Sequence, residues 1–306
     1  MKLSIVTTLY KSSPYIDEFY ERISKEAQKI TDDYEIIFID DGSPDDSLAK
    51  AVALYGKDKK IKVIEFSRNF GHHKAIMTGL SHAQGEFVFL LDVDLEEEPE
   101  LLGQFWEELQ KSDDVDVVYG VQDNRKGGWF EKISGELFWK IFNKLAHIAI
   151  IENPLTIRLM KQNYVKNLVS FEEKELFLAG VFELVGFNQT FKVIKKSSKA
   201  STTYNVKQRI KLLNNAIVSF SSFPLYISFY LGLIISIFSF TYGGYLIVNK
   251  LFFNAITSGW TSVMVSIWFL SGVLLVTVGI LGLYISKIFN EVKNRPIITK
   301  KVYERK

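Results

Sequence analysis

The segment FVFLLDVDLEEEPE, residues 87–100, runs from an apolar stretch directly into a cluster of acidic side chains. Asp92 and Asp94 stand two positions apart, so in an extended chain both carboxylates point to the same side. Two convergent carboxylates suit a hard divalent cation such as Mg²⁺ or Mn²⁺, which often takes further ligands from substrate phosphates. The spacing therefore predicts a metal site. Ordinary loop acids remain the open alternative, because an Asp-x-Asp pair alone is a weak motif.

The glutamates that follow this pair have a simpler interpretation. Glu97, Glu98 and Glu100 precede an amphipathic stretch, and negative charge suits the N-terminus of a helix. We interpret these three residues as acids of a helix start rather than as metal ligands.

A second acidic cluster, IDDGSPDDS, places Asp40 and Asp41 at the end of another apolar run. Five such runs, rich in Ile, Val and Phe, are typical of strands buried on both faces of a parallel sheet. They occupy residues 3–10, 35–40, 62–66, 86–92 and 115–120. Amphipathic stretches that predict helices lie between them, at residues 15–30, 45–56, 72–84 and 98–112.

This alternation predicts an α/β fold with a doubly wound, mostly parallel sheet. Such sheets bind their ligands at the carboxyl ends of the strands. Both acidic clusters fall at strand ends of this kind, so this edge of the sheet is the predicted functional site.

The composition excludes several classes of protein. The 306 residues carry a formal net charge of +2, which gives no indication of nucleic-acid binding. The absence of cysteine excludes disulfides and thiolate metal sites. Charged residues are concentrated in the first two-thirds of the chain, and between Lys211 and Lys287 the only Asp, Glu, Lys or Arg is Lys250.

Two apolar segments in that region, residues 224–248 and 261–286, are long enough as helices to cross a hydrocarbon core of roughly 30 Å. We interpret them as a transmembrane hairpin. Lys and Arg are dense before the first segment and after the second, so the positive-inside rule predicts that both termini are cytoplasmic. The N-terminal MKLSIVTTLYKSSP has too short an apolar run for a signal peptide and predicts a strand. The small residues in YGGY and GILG leave self-association into a homo-oligomer open.

Two amphipathic stretches accompany the apolar segments. Residues 206–223 lead directly into the first of them and favour a helix in the membrane interface. Residues 129–150 have an aromatic face and a lysine-bearing face, which suits either the interface or an ordinary surface helix.

Three stretches resemble one known family in their order and spacing. They are IDDGSPDDS, RNFGHHKAIMTGLSHAQGEFVFLLDVDLEEEPELL and VVYGVQDNRKGGWFEKISGELFWKIFN. They are similar to family 2 glycosyltransferases of the polyprenyl-phosphate type, a group that includes dolichol-phosphate mannose synthases and bacterial bactoprenol (undecaprenyl-phosphate) glucosyltransferases. The two apolar segments and the terminal EVKNRPI also resemble the bacterial members, so the resemblance covers nearly the whole chain.

The resemblance implies a GT-A (Rossmann-like) domain and a set of site residues within it. Asp92, Asp94 and Glu96 match the motif that holds metal and diphosphate, with Glu96 standing where the family usually has glutamine. Asp40 and Asp41 match the acidic pair that meets the nucleoside of the donor. The full implied donor-binding set is Thr8, Tyr10, Asp40, Asp41, Arg68, Asn69 and Gly71.

On the acceptor side, Lys132 and Ser134 occupy the places of a basic residue and a serine that bind the acceptor's phosphate in the family. Lysine supplies a point charge rather than the bidentate fork of arginine, so it should hold the phosphate with less geometric definition. Lys195 and Tyr204, in a lysine- and serine-rich stretch just before the membrane segment, complete the implied lipid-phosphate site.

The largest departure from the family is IENPLTIRLM, residues 151–160, where Asn153 and Thr156 stand in place of expected acids. A catalytic base is therefore in doubt, but a phosphate acceptor does not require one, because its second pKa is near 6. A sugar hydroxyl would need a base. Arg158 is retained and is the third expected catalytic residue beside Asp92 and Asp94; a structural salt bridge is the alternative.

The resemblance implies an inverting, metal-dependent transferase that moves one sugar from a nucleotide-sugar, expected to be a UDP-sugar, to undecaprenyl phosphate for O-antigen or cell-wall modification. The expected cofactor is Mg²⁺ or Mn²⁺, and the expected location is the bacterial inner membrane. The expected domains are a cytoplasmic GT-A domain at 1–205, a juxtamembrane helix at 206–223, two transmembrane helices within 224–289 and a basic cytoplasmic tail at 290–306. Two alternatives stay open: a saccharide hydroxyl acceptor, and a non-catalytic, membrane-anchored sugar-nucleotide binding protein.

Overall fold

The computed structural model describes residues 1–122, 154–173, 178–194, 223–253 and 259–305. The chain forms two compact units: Met1–Asn205 together with Arg295–Lys306, and Val206–Asn294. Each unit is described by itself.

The first unit is built on an eight-stranded sheet with the spatial order β7-β5-β6-β4-β1-β2-β3-β8. β6 and β8 run against the direction of the other six strands. The sheet is therefore mostly parallel, which confirms the predicted fold class. The strands are β1 Leu3–Leu9, β2 Tyr34–Asp40, β3 Ile61–Phe66, β4 Phe87–Leu90, β5 Val117–Gln122, β6 Pro154–Lys161, β7 Gln189–Ile194 and β8 Thr299–Tyr303.

Helices cover both faces of this sheet because β1 to β4 are buried at every position and need apolar partners on each side. Side chains of α1, α2 and α4 join Ile5, Phe38 and Phe89 in one core cluster. On the opposite face, Gly79 of α3 approaches Val6 and Ile39. The helices of this unit are α1 Ile16–Ile30, α2 Ser47–Lys57, α3 His72–His82, α4 Leu101–Leu109, α5 Gln162–Leu168 and α6 Leu178–Leu184.

All five predicted strands and all four predicted helices are present, but three further strands were not expected. β6 overlaps the stretch interpreted only as an acceptor motif, β7 follows it in a region with no predicted strand, and β8 lies within the predicted basic tail. Each pairs with a strand that is distant in sequence, so none of the three can be recognised from local periodicity. The structure thus corrects the assignment of residues 299–303 from tail to strand.

The second unit contains the two apolar helices, α7 Phe223–Phe253 and α8 Trp260–Lys293. Their segments Phe223–Leu246 and Val265–Lys293, with mean hydropathies of 1.9 and 2.2, are long and apolar enough to cross a membrane. α8 ends at Lys293 and is capped by Asn294, whose φ of 39° is left-handed, and Pro296 lies two residues further on. A left-handed asparagine followed by proline is a sharp helix stop.

The close approach of α3 to the sheet generates a stability prediction. A Cβ atom at Gly79 would overlap the end of Ile39 and lie 2.5 Å from Cγ1 of Val6. Gly79→Leu should therefore push α3 off the sheet and lower the free energy of unfolding by about 1–3 kcal/mol.

The matched control is Gly56→Ala in α2, where no atom lies within 4 Å of the added Cβ. This variant should be neutral or more stable, because alanine favours the helix by up to about 1 kcal/mol. Thermal unfolding in detergent, followed by circular dichroism, checks both. A Gly79→Leu protein that melts like the wild type would contradict the packing described here.

Candidate functional site

The predicted site residues meet at the carboxyl edge of the sheet, where β1, β2 and β4 end side by side. Thr8 is near the end of β1, Asp40 ends β2, and Asp92 and Asp94 follow β4. The parallel register of these strands brings together residues that are more than 80 positions apart in sequence.

His72, the first residue of α3, links two of these groups. Its Nδ1 atom lies 3.0 Å from Oγ1 of Thr8, and its Nε2 atom lies 3.6 Å from Oδ1 of Asp92. Sequence reasoning did not select His72, although it follows the donor-motif residue Gly71 directly and its position at a helix start is the signal that could have found it.

The charge state of His72 suits this bridging position. Partial burial lowers the pKa of the imidazole below its usual value, and the charges of Asp41 and Asp94 act in the opposite direction. A neutral ring has one acceptor and one donor nitrogen. The neutral ring can therefore accept a hydrogen bond from the Thr8 hydroxyl at Nδ1, and its Nε2–H can point towards Asp92.

The loop after β4 presents alternate residues to solvent. Asp92, Asp94 and Glu96 are partly exposed, whereas the intervening Val93 and Leu95 are buried. This alternation agrees with the same-side spacing predicted for the two aspartates. The backbone amide of Glu96 donates a 3.0 Å hydrogen bond to Oδ1 of Asp94.

Leu95 has a φ of 60° between Asp94 and Glu96. A left-handed conformation costs a buried, branched residue on the order of 1–3 kcal/mol and persists only where the surrounding structure enforces it. Strain of this kind is concentrated at functional sites, and here it shapes the turn that separates Asp94 from Glu96.

Asp92 and Asp94 fit a hard divalent cation of the predicted type. Within the described ranges no group of three or more His, Asp or Glu side chains is arranged to hold a metal ion. Mg²⁺ commonly takes only one or two carboxylates and completes its shell with water and substrate phosphates, so a two-aspartate site is sufficient. The roles of Asp92, Asp94 and Glu96 as metal ligands stay predictions.

Asp41 fixes the loop of residues 68–71, which we call the donor loop. Its carboxylate is 2% exposed and accepts hydrogen bonds from the backbone amides of Phe70, at 2.7 Å, and Gly71, at 3.0 Å. Burial raises the pKa of Asp41, and these two amides counter that rise. A function in positioning the loop is therefore evident for Asp41, whereas its predicted contact with a donor nucleoside stays a prediction.

Gly42, the neighbour of Asp41, explains the glycine in the IDDGS motif. Its φ is 62°, and a Cβ atom there would lie 2.5 Å from backbone atoms of both Arg68 and Asn69. Only glycine permits this approach of the two loops. Arg68 and Asn69 themselves are exposed, so their side chains are available to a ligand. Gly71, with a φ of 104°, forms the N-cap of α3.

Asp40 lies beside a second carboxylate. It is 2% exposed and is paired in the parallel register with Glu65 of β3. Burial raises the pKa of Asp40 to about 6; the backbone amide of Ser43 opposes this rise and the charge of Glu65 adds to it.

Asp45, in the loop that follows, has a pKa that is shifted in the opposite direction. Partial burial would raise its pKa, but hydrogen bonds from Ser43, Ser47 and Ser13 hold it at about 2.

Arg158 lies in the protein interior. It is 3% exposed, its Cζ atom lies 3.1 Å from the ring centroid of Phe182, and its Nε atom donates to the carbonyl of Thr156 at 3.2 Å. Burial lowers the pKa of the guanidinium to about 10, and Tyr164 and Glu183 act against that fall. Nη1 of Arg158 has no hydrogen-bond partner within the described residues. These contacts place the guanidinium in the protein interior, and its predicted catalytic role stays a prediction.

The remaining predicted residues divide into two groups. Tyr10 follows β1 and is 48% exposed, so its ring is open to a planar ligand. The predicted acceptor residues and the predicted interface helices lie outside the described residues: Lys132, Ser134, Lys195, Tyr204, Asn153, the stretch 129–150 and residues 206–222.

Comparison with known proteins gives consistent matches. Residues 4–173 match the family described as Glycosyl transferase family 2. A Mycobacterium tuberculosis protein named only as a glycosyltransferase is 47% identical over 99% of this chain and 89% of its own length. The SfII prophage-derived bactoprenol glucosyl transferase of Shigella flexneri is 34% identical over 97% of this chain and 96% of its own.

Among solved structures, the chain is similar to glucosyl-3-phosphoglycerate synthase from Mycobacterium tuberculosis in complex with Mn²⁺, uridine-diphosphate and phosphoglyceric acid. The match has a TM-score of 0.49 and 14% identity, and it covers 71% of this chain and 76% of that one.

The opposite pKa shifts of Asp40 and Asp45 predict opposite effects of their amide variants. The pKa of Asp40 is about 6 in the fold and about 4 when unfolded. Its contribution to stability is therefore complete below pH 4 and is lost as the pH rises through 6. Asp40→Asn should be more stable than the wild type at pH 8, by on the order of 2 kcal/mol, and this advantage should disappear near pH 4.

Asp45→Asn is the matched control with the opposite sign. The lowered pKa of Asp45 means that its contribution is present above pH 4 and is lost only as the pH falls towards 2. This variant should therefore be less stable than the wild type at pH 8. Melting temperatures measured between pH 4 and pH 8 test both, and a destabilised Asp40→Asn at pH 8 would refute the assignment.

Proposed function

The chain belongs to glycosyl transferase family 2 and is a glycosyltransferase with a GT-A fold, and from this premise we propose that it transfers one sugar from a UDP-sugar to the phosphate of undecaprenyl phosphate. One observation carries the proposal. The match to a bactoprenol glucosyl transferase extends over 97% of the chain, so it includes both the sheet with its acidic edge and the two apolar helices.

The donor would bind at the carboxyl edge of the sheet. Tyr10 offers an exposed ring for the base, and Asp40 and the donor loop lie beside it at the ends of β2 and β3. Arg68 and Asn69, held in place by the contacts of Asp41 and Gly42, would orient the nucleoside and the diphosphate. Fixing the donor in this way lowers the entropic part of the barrier to transfer.

Asp92 and Asp94 would hold Mg²⁺ or Mn²⁺ against the diphosphate of the donor. Such a metal, when bound, neutralises the charge that develops on the departing diphosphate. His72 orients Asp92 through the contacts described above, and the strained turn at Leu95 sets the direction of Asp94.

The acceptor would be an anionic phosphate rather than a hydroxyl. Thr156 stands where the family has an acid, and its carbonyl is engaged by Arg158. A phosphate monoester with a second pKa near 6 is already largely ionised at neutral pH, so no base is needed at this position. Lys132, Ser134, Lys195 and Tyr204 would bind that phosphate and aim it at the anomeric carbon.

Attack from the side opposite the leaving diphosphate inverts the configuration of the sugar. An α-linked donor would therefore give a β-linked lipid-phosphate sugar. We infer that this product serves as a sugar donor for O-antigen or cell-wall modification. The two apolar helices would span the bacterial inner membrane with both termini in the cytoplasm, as the distribution of Lys and Arg predicts.

The first functional prediction concerns the metal site. Asp94→Asn should reduce transfer by at least about 100-fold, because the loss of a metal ligand removes several kcal/mol of transition-state stabilisation, while leaving the melting temperature unchanged. The assay uses the detergent-solubilised full chain, undecaprenyl phosphate, Mg²⁺ or Mn²⁺ and radiolabelled nucleotide-sugars, followed by extraction of the lipid phase. Chelation with EDTA should abolish the signal in the same way.

Glu98→Gln, an exposed neighbour in the same acidic stretch, is the matched control and should transfer normally. Thr156→Ala should also cost little, because the acceptor needs no base. Transfer by Asp94→Asn at the wild-type rate would refute the metal assignment. A labelled saccharide in the aqueous phase, with none in the lipid phase, would favour a hydroxyl acceptor instead.

The second functional prediction concerns His72. His72→Ala removes the hydrogen bond to Thr8 and the 3.6 Å contact with Asp92, and it should lower kcat/KM by about 2- to 10-fold, the usual cost of one neutral hydrogen bond. His82→Gln, at the other end of α3, is the control and should behave as the wild type. Equal activity of His72→Ala and wild type would show that Asp92 is held without the imidazole.

A further inference from the structure

The end of the chain is built into the donor side of the sheet. β8 pairs antiparallel with β3, with Tyr303 opposite Val63 and Val302 opposite Ile64. The backbone amide of Ser67, which directly precedes the donor loop, donates a 3.0 Å hydrogen bond to the carbonyl of Ile298. Residues that follow the second apolar helix therefore support the residues that lead into the donor loop.

Glu65 is the residue through which β8 reaches the site. It is buried, and the parallel register places it beside Asp40. Neighbouring like charges on adjacent strands are unfavourable, and a buried carboxylate is costly unless it is paired. This pair of acids therefore requires a compensating group.

Both oxygens of Glu65 are bound by side chains of β8. Nζ of Lys300 lies 2.5 Å from Oε1, and the hydroxyl of Tyr303 donates to Oε2 at 3.2 Å. The register between the two strands shifts between Glu65 and Phe66. Such a bulge redirects a side chain, and here Lys300 reaches Glu65 although Lys301 is its partner in the register.

We propose that β8 is a working part of the nucleotide-binding site, in which Lys300 pairs with Glu65 and thereby leaves Asp40 free to accept hydrogen bonds from a nucleoside diphosphate. Lys300 is a positioning residue in this scheme, since it acts through Glu65. The inference rests on the proposed function, because Asp40 faces a nucleoside only if the donor binds at this edge.

The pKa shifts of these groups agree with a chain of contacts from Lys300 through Glu65 to Asp40. The charge of Glu65 raises the pKa of Asp40, and contact with Glu65 and the charge of Asp40 both raise the pKa of Lys300. Without the ammonium group, Asp40 would face a carboxylate whose charge is no longer balanced by a cation and which keeps only the hydroxyl of Tyr303 as a partner from β8. A proton taken up by Asp40 in response would remove its capacity as an anionic acceptor.

The alternative is that β8 only covers the edge of the sheet, as many proteins do to avoid association through an open strand. Contacts independent of Glu65 also anchor β8: Lys62 pairs with Glu304 at 2.9 Å, and Arg305 donates to the carbonyls of Tyr55 and Gly56. A substitution at Lys300 therefore leaves the strand attached, and it separates the electrostatic role from the covering role.

The experiment measures Mg²⁺-dependent binding of UDP by calorimetry, together with KM and kcat for transfer, on the full chain in detergent. Lys300→Met should weaken UDP binding and raise KM by up to about 10-fold when both are measured below pH 6, where each unit added to the pKa of Asp40 lowers its ionised fraction about tenfold, with kcat and the melting temperature little changed. Lys300→Arg should bind as the wild type. Lys301→Met, which removes an ammonium group that lies over the ring of Tyr303, is the matched control and should also bind normally.

The double variant Glu65→Gln with Lys300→Met is decisive, because it removes the carboxylate that Lys300 compensates. Restored UDP affinity in the double variant would support the proposal. Wild-type affinity in Lys300→Met would overturn the inference and leave the proposed function intact, and so would a loss that the double variant does not restore. A wild-type chain that binds neither UDP nor another nucleoside diphosphate would overturn the proposed function itself.

Discussion

Carboxylates crowded at one edge of a sheet are the constraint on which the rest of this structure depends. Asp40 and Asp41 are nearly fully buried, and Glu65 lies beside Asp40. Asp92 and Asp94 follow β4, which is separated from β2 by β1. Removing so much negative charge from water is unfavourable unless amides, cations or a ligand replace the lost hydration. Most of the contacts at this edge supply such a replacement.

The compensating groups come from elements that are far apart in sequence. The donor loop supplies amides to Asp41, β8 supplies an ammonium group and a hydroxyl to Glu65, and α3 supplies His72 near Asp92. Close approach of these elements requires Gly42 and Gly79 at the points of contact. Each acid at this edge is therefore compensated by groups from an element other than the strand that carries it.

The difference between local patterns and contacts that are distant in sequence also explains what could be predicted from the sequence. β1 to β5 and α1 to α4 follow from local periodicity, because a strand buried on both faces and an amphipathic helix each leave a pattern within about ten residues. The convergence of Asp40 and Asp92 follows from a general property of parallel sheets.

β8 leaves no such local pattern. Its sequence TKKVY is short and rich in lysine, and it becomes a strand only because β3 offers an unpaired edge. Lys300 and Glu65 are separated by 235 positions, and the bulge that joins them is a property of the pairing rather than of either segment. His72 was missed for a related reason, since its two partners come from strands on either side of it in the sequence.

The same charges constrain the acceptor under the proposed function. A lipid phosphate is itself an anion and would be repelled by the edge that binds the donor, unless bound metal and basic side chains offset those carboxylates. A protonated hydroxyl would meet no such repulsion but would need a base, and Thr156 supplies none at the position where the family has an acid. The buried guanidinium of Arg158 lies on β6, opposite Leu90 at the end of β4, and adds positive charge on the side of β4 away from Asp40. Under the proposed function, the acids at the ends of β2 and β4 would face the metal-bound diphosphate donor, and the cation on β6 beyond them would help to offset their charge for an anionic acceptor.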